Sequence, residues 1–188
     1  MEQPGGRAPA PAALALLQDF ANTADLEAGR DGLRTAADLA EFCAAHGLPG
    51  LRFEEGAVAE CVRLREALRD VCQAHAGVDV PPASAAVLEE MLAGAALRLA
   101  IDAGGGARAV PAAGLAGLPA LVAQLACGVL AAVADGTWPR LKACAAHSCR
   151  WVYYDRSPSG RSRWCTMSIC GSRTKMRGYR ARGGQTGG

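Results

Sequence analysis

Apolar residues recur at helical spacing over most of the first 136 positions. Residues 14–23, LALLQDFANT, form a short apolar run whose periodicity fits either a strand or the start of a helix. Residues 35–47 are clearer. Leu39, Phe42 and Cys43 share a face, Thr35 and Asp38 have the spacing of a capping box, and Gly47 can end the helix. Over 56–76, Val58, Cys61, Leu64, Leu68, Val71 and Cys72 form one stripe that stops at Gly77. After Pro81-Pro82, Ser84 is placed to cap a short helix carrying Val87, Leu88, Met91 and Leu92. Residues 96–112 alternate weakly around a glycine-rich turn, which predicts a β-hairpin. The longest apolar run, 118–134, is interrupted by Gln124 and is short for a membrane span, so it predicts a buried core helix that stops at Gly136. Helices with a small antiparallel sheet place this region in the α+β class. The expected division is a flexible tail at 1–11, an α+β domain at 12–137, a second unit at 138–182 and another flexible tail at 183–188.

Composition adds two things to this picture. Apolar residues make up 51% of the 188-residue chain, enough for a core, but only nine residues are aromatic, so packing among alanine-rich helices is expected. The net charge of +2 conceals a split. Residues 1–137 carry nine Lys+Arg against seventeen Asp+Glu, whereas residues 138–188 carry eleven against the single acid Asp155. The basic end suits a polyanion. Glu2 and the short run before Asp19 match a secretory leader poorly, so a cytoplasmic protein without a membrane span is expected, with its thiols reduced.

The eight cysteines then fall into two kinds. Cys43, Cys61, Cys72 and Cys127 lie on or near apolar faces and read as small buried hydrophobes. His46 and His75, at helix ends, suggest no chemistry. Cys144 and Cys149 enclose four residues, Cys165 and Cys170 enclose four more, and fifteen residues separate the pairs. Two short loops of this kind can bring four thiolates around one tetrahedral ion, and four thiolates leave no open position. One structural Zn2+ held by Cys144, Cys149, Cys165 and Cys170 is the expectation. Disulfides, an iron–sulfur cluster, or His147 in place of one thiolate are the alternatives. About forty residues cannot build a sufficient core alone, so the metal must hold this segment, with Trp151, Tyr153, Tyr154 and Trp164 packed beside it.

Beyond Cys170, GSRTKMRGYRAR written as a helix puts Arg173, Arg177 and Arg180 along one face and Lys175 and Arg182 on the next. Such a helix can enter a major groove and offer arginines to guanine edges and phosphates; a solvated basic face, or one resting on the acidic domain, is the alternative.

The segment CAAHSCRWVYYDRSPSGRSRWCTMSICGSRTKMRGYRAR, through its cysteines, YDRS at 154–157, RSRWC at 161–165, CGSR at 170–173, Lys175 and YRAR at 179–182, resembles the CGNR zinc finger, a bacterial treble-clef-like module. Upstream, LLQDFANT at 16–23, AADLAEF at 36–42, LREALRD at 64–70 and the hairpin resemble the ABATE domain that precedes such fingers. The resemblance implies a transcription regulator: a mixed α/β domain with room for a sensory role, followed by a zinc-dependent module that binds double-stranded DNA. Ser172 stands where the CGNR motif has its asparagine, which puts any contact of that amide in doubt and leaves zinc ligation untouched.

The expected DNA contacts are Arg161, Arg163, Arg173, Lys175, Arg177, Arg180 and Arg182. A zinc-knuckle adaptor for an acidic protein partner is the alternative. An enzyme is not expected, since residues 138–188 offer only His147 and Asp155 for metal-assisted chemistry. Asp19, Asn22 and Thr23 are candidate polar groups for a small-molecule effector, or else a turn and helix cap. No heptad seam indicates an oligomeric state.

Overall fold

A computed structural model describes residues 3–173 and Met176. Proline opens the first helix, α1 (Ala12–Ala21), where Leu14, Leu17, Phe20 and Ala21 fall on one face and are buried. The undecided run at 14–23 is therefore helical. It leads into a minimal hairpin, β1 (Ala24–Asp25) with β2 (Arg30–Asp31). Helix α2 (Ala36–Ala45) begins with both bonds of the expected capping box, between Thr35 and Asp38. Helix α3 (Gly56–Ala74) buries Cys61, Leu64, Leu68 and Cys72 of its predicted stripe and also, against expectation for charged groups, Arg65 and Arg69.

Helix α4 (Pro82–Ala93) differs from the sequence expectation at its start. Pro82 occupies the first turn and no side chain caps it; the Ser84 hydroxyl instead donates to the Asp70 carboxylate on α3. Leu88, Met91 and Leu92 are partly covered by the core. The predicted hairpin is β3 (Leu97–Ile101) paired antiparallel with β4 (Ala107–Pro111). Helix α5 (Gly117–Ala134) is long and apolar enough, by length and composition, to cross a membrane. Its Leu121, Val122, Ala123, Leu125 and Ala126 are buried in the core, as expected of a core helix. It crosses α1 closely at Gly128, where a Cβ would come within 2.6 Å of both the Ala13 carbonyl oxygen and Leu17 Cδ1.

Two short strands, β5 (Leu141–Ala143) and β6 (Val152–Tyr154), pair antiparallel and complete the fold. Leu141, Ala143, Val152 and Tyr154 join the same core as α1, α3 and α5. The core thus runs across the expected boundary at 137/138. The expected loose tail at 1–11 is also corrected from residue 3 onward. Gln3 and Ala10 are buried, the Gln18 side chain bonds to both, and Arg7 donates to the carbonyls of Cys165 and Trp164. Expectations for 174–175 and 177–188, including the tail at 183–188, fall outside the described residues.

Candidate metal centre and its basic surround

Strand β5 delivers Cys144 into a tight turn in which the N–H groups of Cys149 and Arg150 both bond the Ala146 carbonyl, at 2.9 and 3.1 Å. Arg150 adopts a left-handed backbone, φ 51°, and the Cys144 N–H closes the knuckle on the Trp151 carbonyl at 2.9 Å. The second pair comes from the return of the chain: Cys165, then a widened turn at Met167–Gly171 that carries Cys170. A Cβ at Gly171 would stand 2.6 Å from Met167 Sδ and 3.1 Å from Trp164 Cδ1, so a larger residue here would displace the exposed Met167 side chain and crowd Trp164.

The four sulfurs lie within 4.8 Å of one another, and Cys165 Sγ is 3.6 Å from both Cys149 Sγ and Cys170 Sγ. Four ligands around zinc at about 2.3 Å would be separated by about 3.8 Å. A disulfide requires about 2.0 Å. The cluster therefore suits one structural zinc ion, and all four cysteines are buried while His147 is exposed and outside the cluster. Burial, followed by the neighbouring charge of Cys165, pushes the Cys170 thiol up to about 12. Four thiols this close together become thiolates at once only with a compensating cation. Trp151 and Trp164 pack against the cluster, as expected.

Asp155, from the YDRS segment, organises the loop between the two cysteine pairs. Its fully buried carboxylate accepts from the N–H groups of Ser157 and Ser162 at 3.0 and 2.9 Å and pairs with Lys142 Nζ at 3.1 Å. Burial alone would raise its pKa; the Ser157 hydrogen bonds, then those of Lys142 and Ser162, hold it below the ordinary carboxylate range. Lys142 also donates to the Gly160 and Ser162 carbonyls, and the Tyr153 hydroxyl donates to the latter at 2.8 Å.

The module is fastened to the body by polar groups that hydrophobic periodicity did not reveal. Asn22 brackets Val152, donating to its carbonyl at 2.7 Å and accepting its N–H at 2.8 Å. Arg69, with no exposed side-chain surface, donates to the carbonyls of Ala21, Ala24 and Arg150. Arg150 pairs with Asp70 and bonds Gln73, whose amide reaches the Cys144 carbonyl. These residues sit in the LLQDFANT and LREALRD segments or just beyond the latter. Their polar positions were the available signal.

The residues expected to offer polar groups to an effector take part in structural bonds. Asn22 is consumed by Val152, Asp19 pairs with His46 at 3.1 Å, and the Thr23 hydroxyl donates to the Phe20 carbonyl, capping α1. None of them lines the cavity of about 420 Å³ beside the sulfurs, whose walls include Gln3, Glu27, Cys149, Trp151 and Thr166. Of the expected DNA contacts, Arg161, Arg163 and Arg173 are exposed. Arg163 lies over the Trp164 ring at 5.7 Å, and Arg173 pairs with Glu27 of the β1–β2 hairpin. Lys175, Arg177, Arg180 and Arg182 lie outside the described residues. The Ser172 hydroxyl turns back to the Met167 carbonyl at 3.4 Å.

Residues 14–136 match the ABATE family, described as a putative stress-induced transcription regulator, and residues 140–183 match the CGNR zinc finger. No curated protein matches the chain.

Proposed function

The chain belongs to the ABATE family and carries a CGNR zinc finger, and from that premise we propose that it is a DNA-binding transcription regulator. The observation that carries this reading is the division of labour among the basic residues of the module. Arg140, Lys142 and Arg150 are spent inside it or on its junction with the body, while Arg161 and Arg163 project from the metal-anchored loop. Bound zinc supplies charge neutralisation for the four thiolates and fixes both knuckles. The loop arginines can then meet phosphates and base edges from a rigid mount. Lys175, Arg177, Arg180 and Arg182 extend the same charge along the sequence.

The four-thiolate site has no vacant coordination position, so the proposed role is non-catalytic, and added magnesium or manganese should produce no DNA cleavage. A second reading rests on Arg173 meeting Glu27: the same surface can hold an acidic protein partner.

The test is selection from a random duplex library by the zinc-loaded chain, repeated after chelation and over a salt series. A zinc-dependent sequence motif with binding that weakens steeply as salt rises supports DNA recognition. Absence of binding, or binding that survives complete zinc removal, refutes it.

A further inference from the structure

Strand β3 has β4 on one side, and no other strand pairs with it among the described residues. The pairing runs without a bulge from Leu97 opposite Pro111 to Ile101 opposite Ala107. The Ala112 N–H bonds the Ala96 carbonyl and the Asp102 N–H bonds the Gly106 carbonyl, so in this ladder the even-numbered residues of β3 direct their backbone polar groups toward β4. Leu97, Leu99 and Ile101 direct theirs to the open edge. The side chains of Leu99 and Ile101 are 66% and 71% exposed. An open edge with an apolar row on one face and neither proline nor bulge is a template for another strand.

We propose that this edge pairs with β3 of a second copy of the chain, about a two-fold axis at Leu99. That axis places Leu99 opposite Leu99 and Leu97 opposite Ile101, so that every outward-facing N–H and carbonyl of one copy meets one of the other. A centre midway between two residues would instead oppose outward groups to inward ones, and a centre on Arg98 or Ala100 would pair only two of Leu97, Leu99 and Ile101 among themselves. The two hairpins become one four-stranded antiparallel sheet, and its apolar face carries a continuous row from both copies. On the other face each Arg98 stands opposite Ala100 and one diagonal step from Asp102 of the second copy. The central pair of Arg98 side chains is thereby flanked by a carboxylate at each end. The contact is isologous and closes on itself, which yields a dimer and no longer array. It also gives the two zinc modules the symmetry of a two-part DNA site.

The test measures mass in solution by light scattering across a concentration series, on the zinc-loaded full chain without DNA, so its outcome is separate from that of the DNA-binding reading. Wild type is expected at twice the chain mass. Leu99→Lys and Leu99→Glu, at an exposed position, should each keep helicity and zinc content yet dissociate at least about tenfold more readily, because like charges then face each other on the axis. Mixing the two variants should restore the dimer. A wild-type chain that stays monomeric, variants as dimeric as wild type, or a mixture that remains monomeric would each overturn the proposal.

Discussion

In the helical body the buried material is mainly apolar, Leu14, Leu17, Phe20, Leu39, Leu64, Leu68, Leu121 and Leu125 among it, and the helices satisfy their own backbones. In the zinc module it is four sulfurs, Tyr153 and the pair Lys142–Asp155. Its two strands are three residues each, too short to satisfy the backbone between Cys144 and Cys170. Long side chains do so instead: Arg7, Arg69, Arg140, Lys142, Gln73 and His75 all donate to carbonyls of this segment or its strands. Three of those donors, Arg69, Gln73 and His75, stand on or directly after the C-terminal half of α3. A module without a sufficient core is thus completed by metal on one side and by a neighbouring helix on the other, and its unit of stability includes α3.

Removing the metal should separate the two regions most strongly. Chelation, or Cys165→Ser at the sulfur that lies 3.6 Å from both Cys149 and Cys170, is expected to unfold the segment from Cys144 onward, since structural zinc contributes on the order of 10–16 kcal/mol to such sites. Emission from Trp151 and Trp164 would shift red with zinc release, while helical circular dichroism would survive with a lower thermal midpoint. Unchanged tryptophan emission after complete zinc loss would mean that packing alone holds the module. The next largest effect concerns the junction. Arg69→Met would leave the carbonyls of Ala21, Ala24 and Arg150 without their buried donor, costing about 1–3 kcal/mol or more in denaturant unfolding. A loss below about 1 kcal/mol, the scale of an ordinary surface change, would mean that α3 does not couple the regions.

The same contrast explains what could be read from the chain. Helices α2, α3 and α5, the β3–β4 hairpin and the four clustered cysteines follow from periodicity, turn residues and ligand spacing, all of which are local. Asp155 has no such signature: its partners Lys142 and Ser162 are brought to it by folding. Asn22 looked like a pocket or cap residue because its partner, Val152, lies 130 positions away. Residues 3–10 resembled a tail for the same reason, since low complexity carries no trace of Arg7 reaching the Cys165 carbonyl at 2.5 Å. Ser84 falls inside the first turn because proline starts the helix at Pro82, and its hydroxyl is free to donate to the Asp70 carboxylate.

The smallest expected effect probes the seam between α3 and β5. His75 Nδ1 bonds the Leu141 carbonyl at 2.7 Å, and its ring meets Trp138 edge-on at 5.1 Å. Burial lowers its pKa below the ordinary value of 6.5; the Leu141 hydrogen bond opposes the shift and the Lys142 charge adds to it. The folded chain therefore keeps His75 neutral where the unfolded chain takes up a proton. Its contribution is fully present above about pH 6.5 and is lost as pH falls through the lower, folded pKa. The unfolding midpoint should decline with acid more steeply in wild type than in His75→Gln, whose amide can still donate to Leu141. Zinc ligation is common to both chains, so the difference between their slopes isolates the imidazole. Identical slopes would mean that the seam does not sense this proton, and that acid acts on the module through other groups, the thiolates and Asp155 among them.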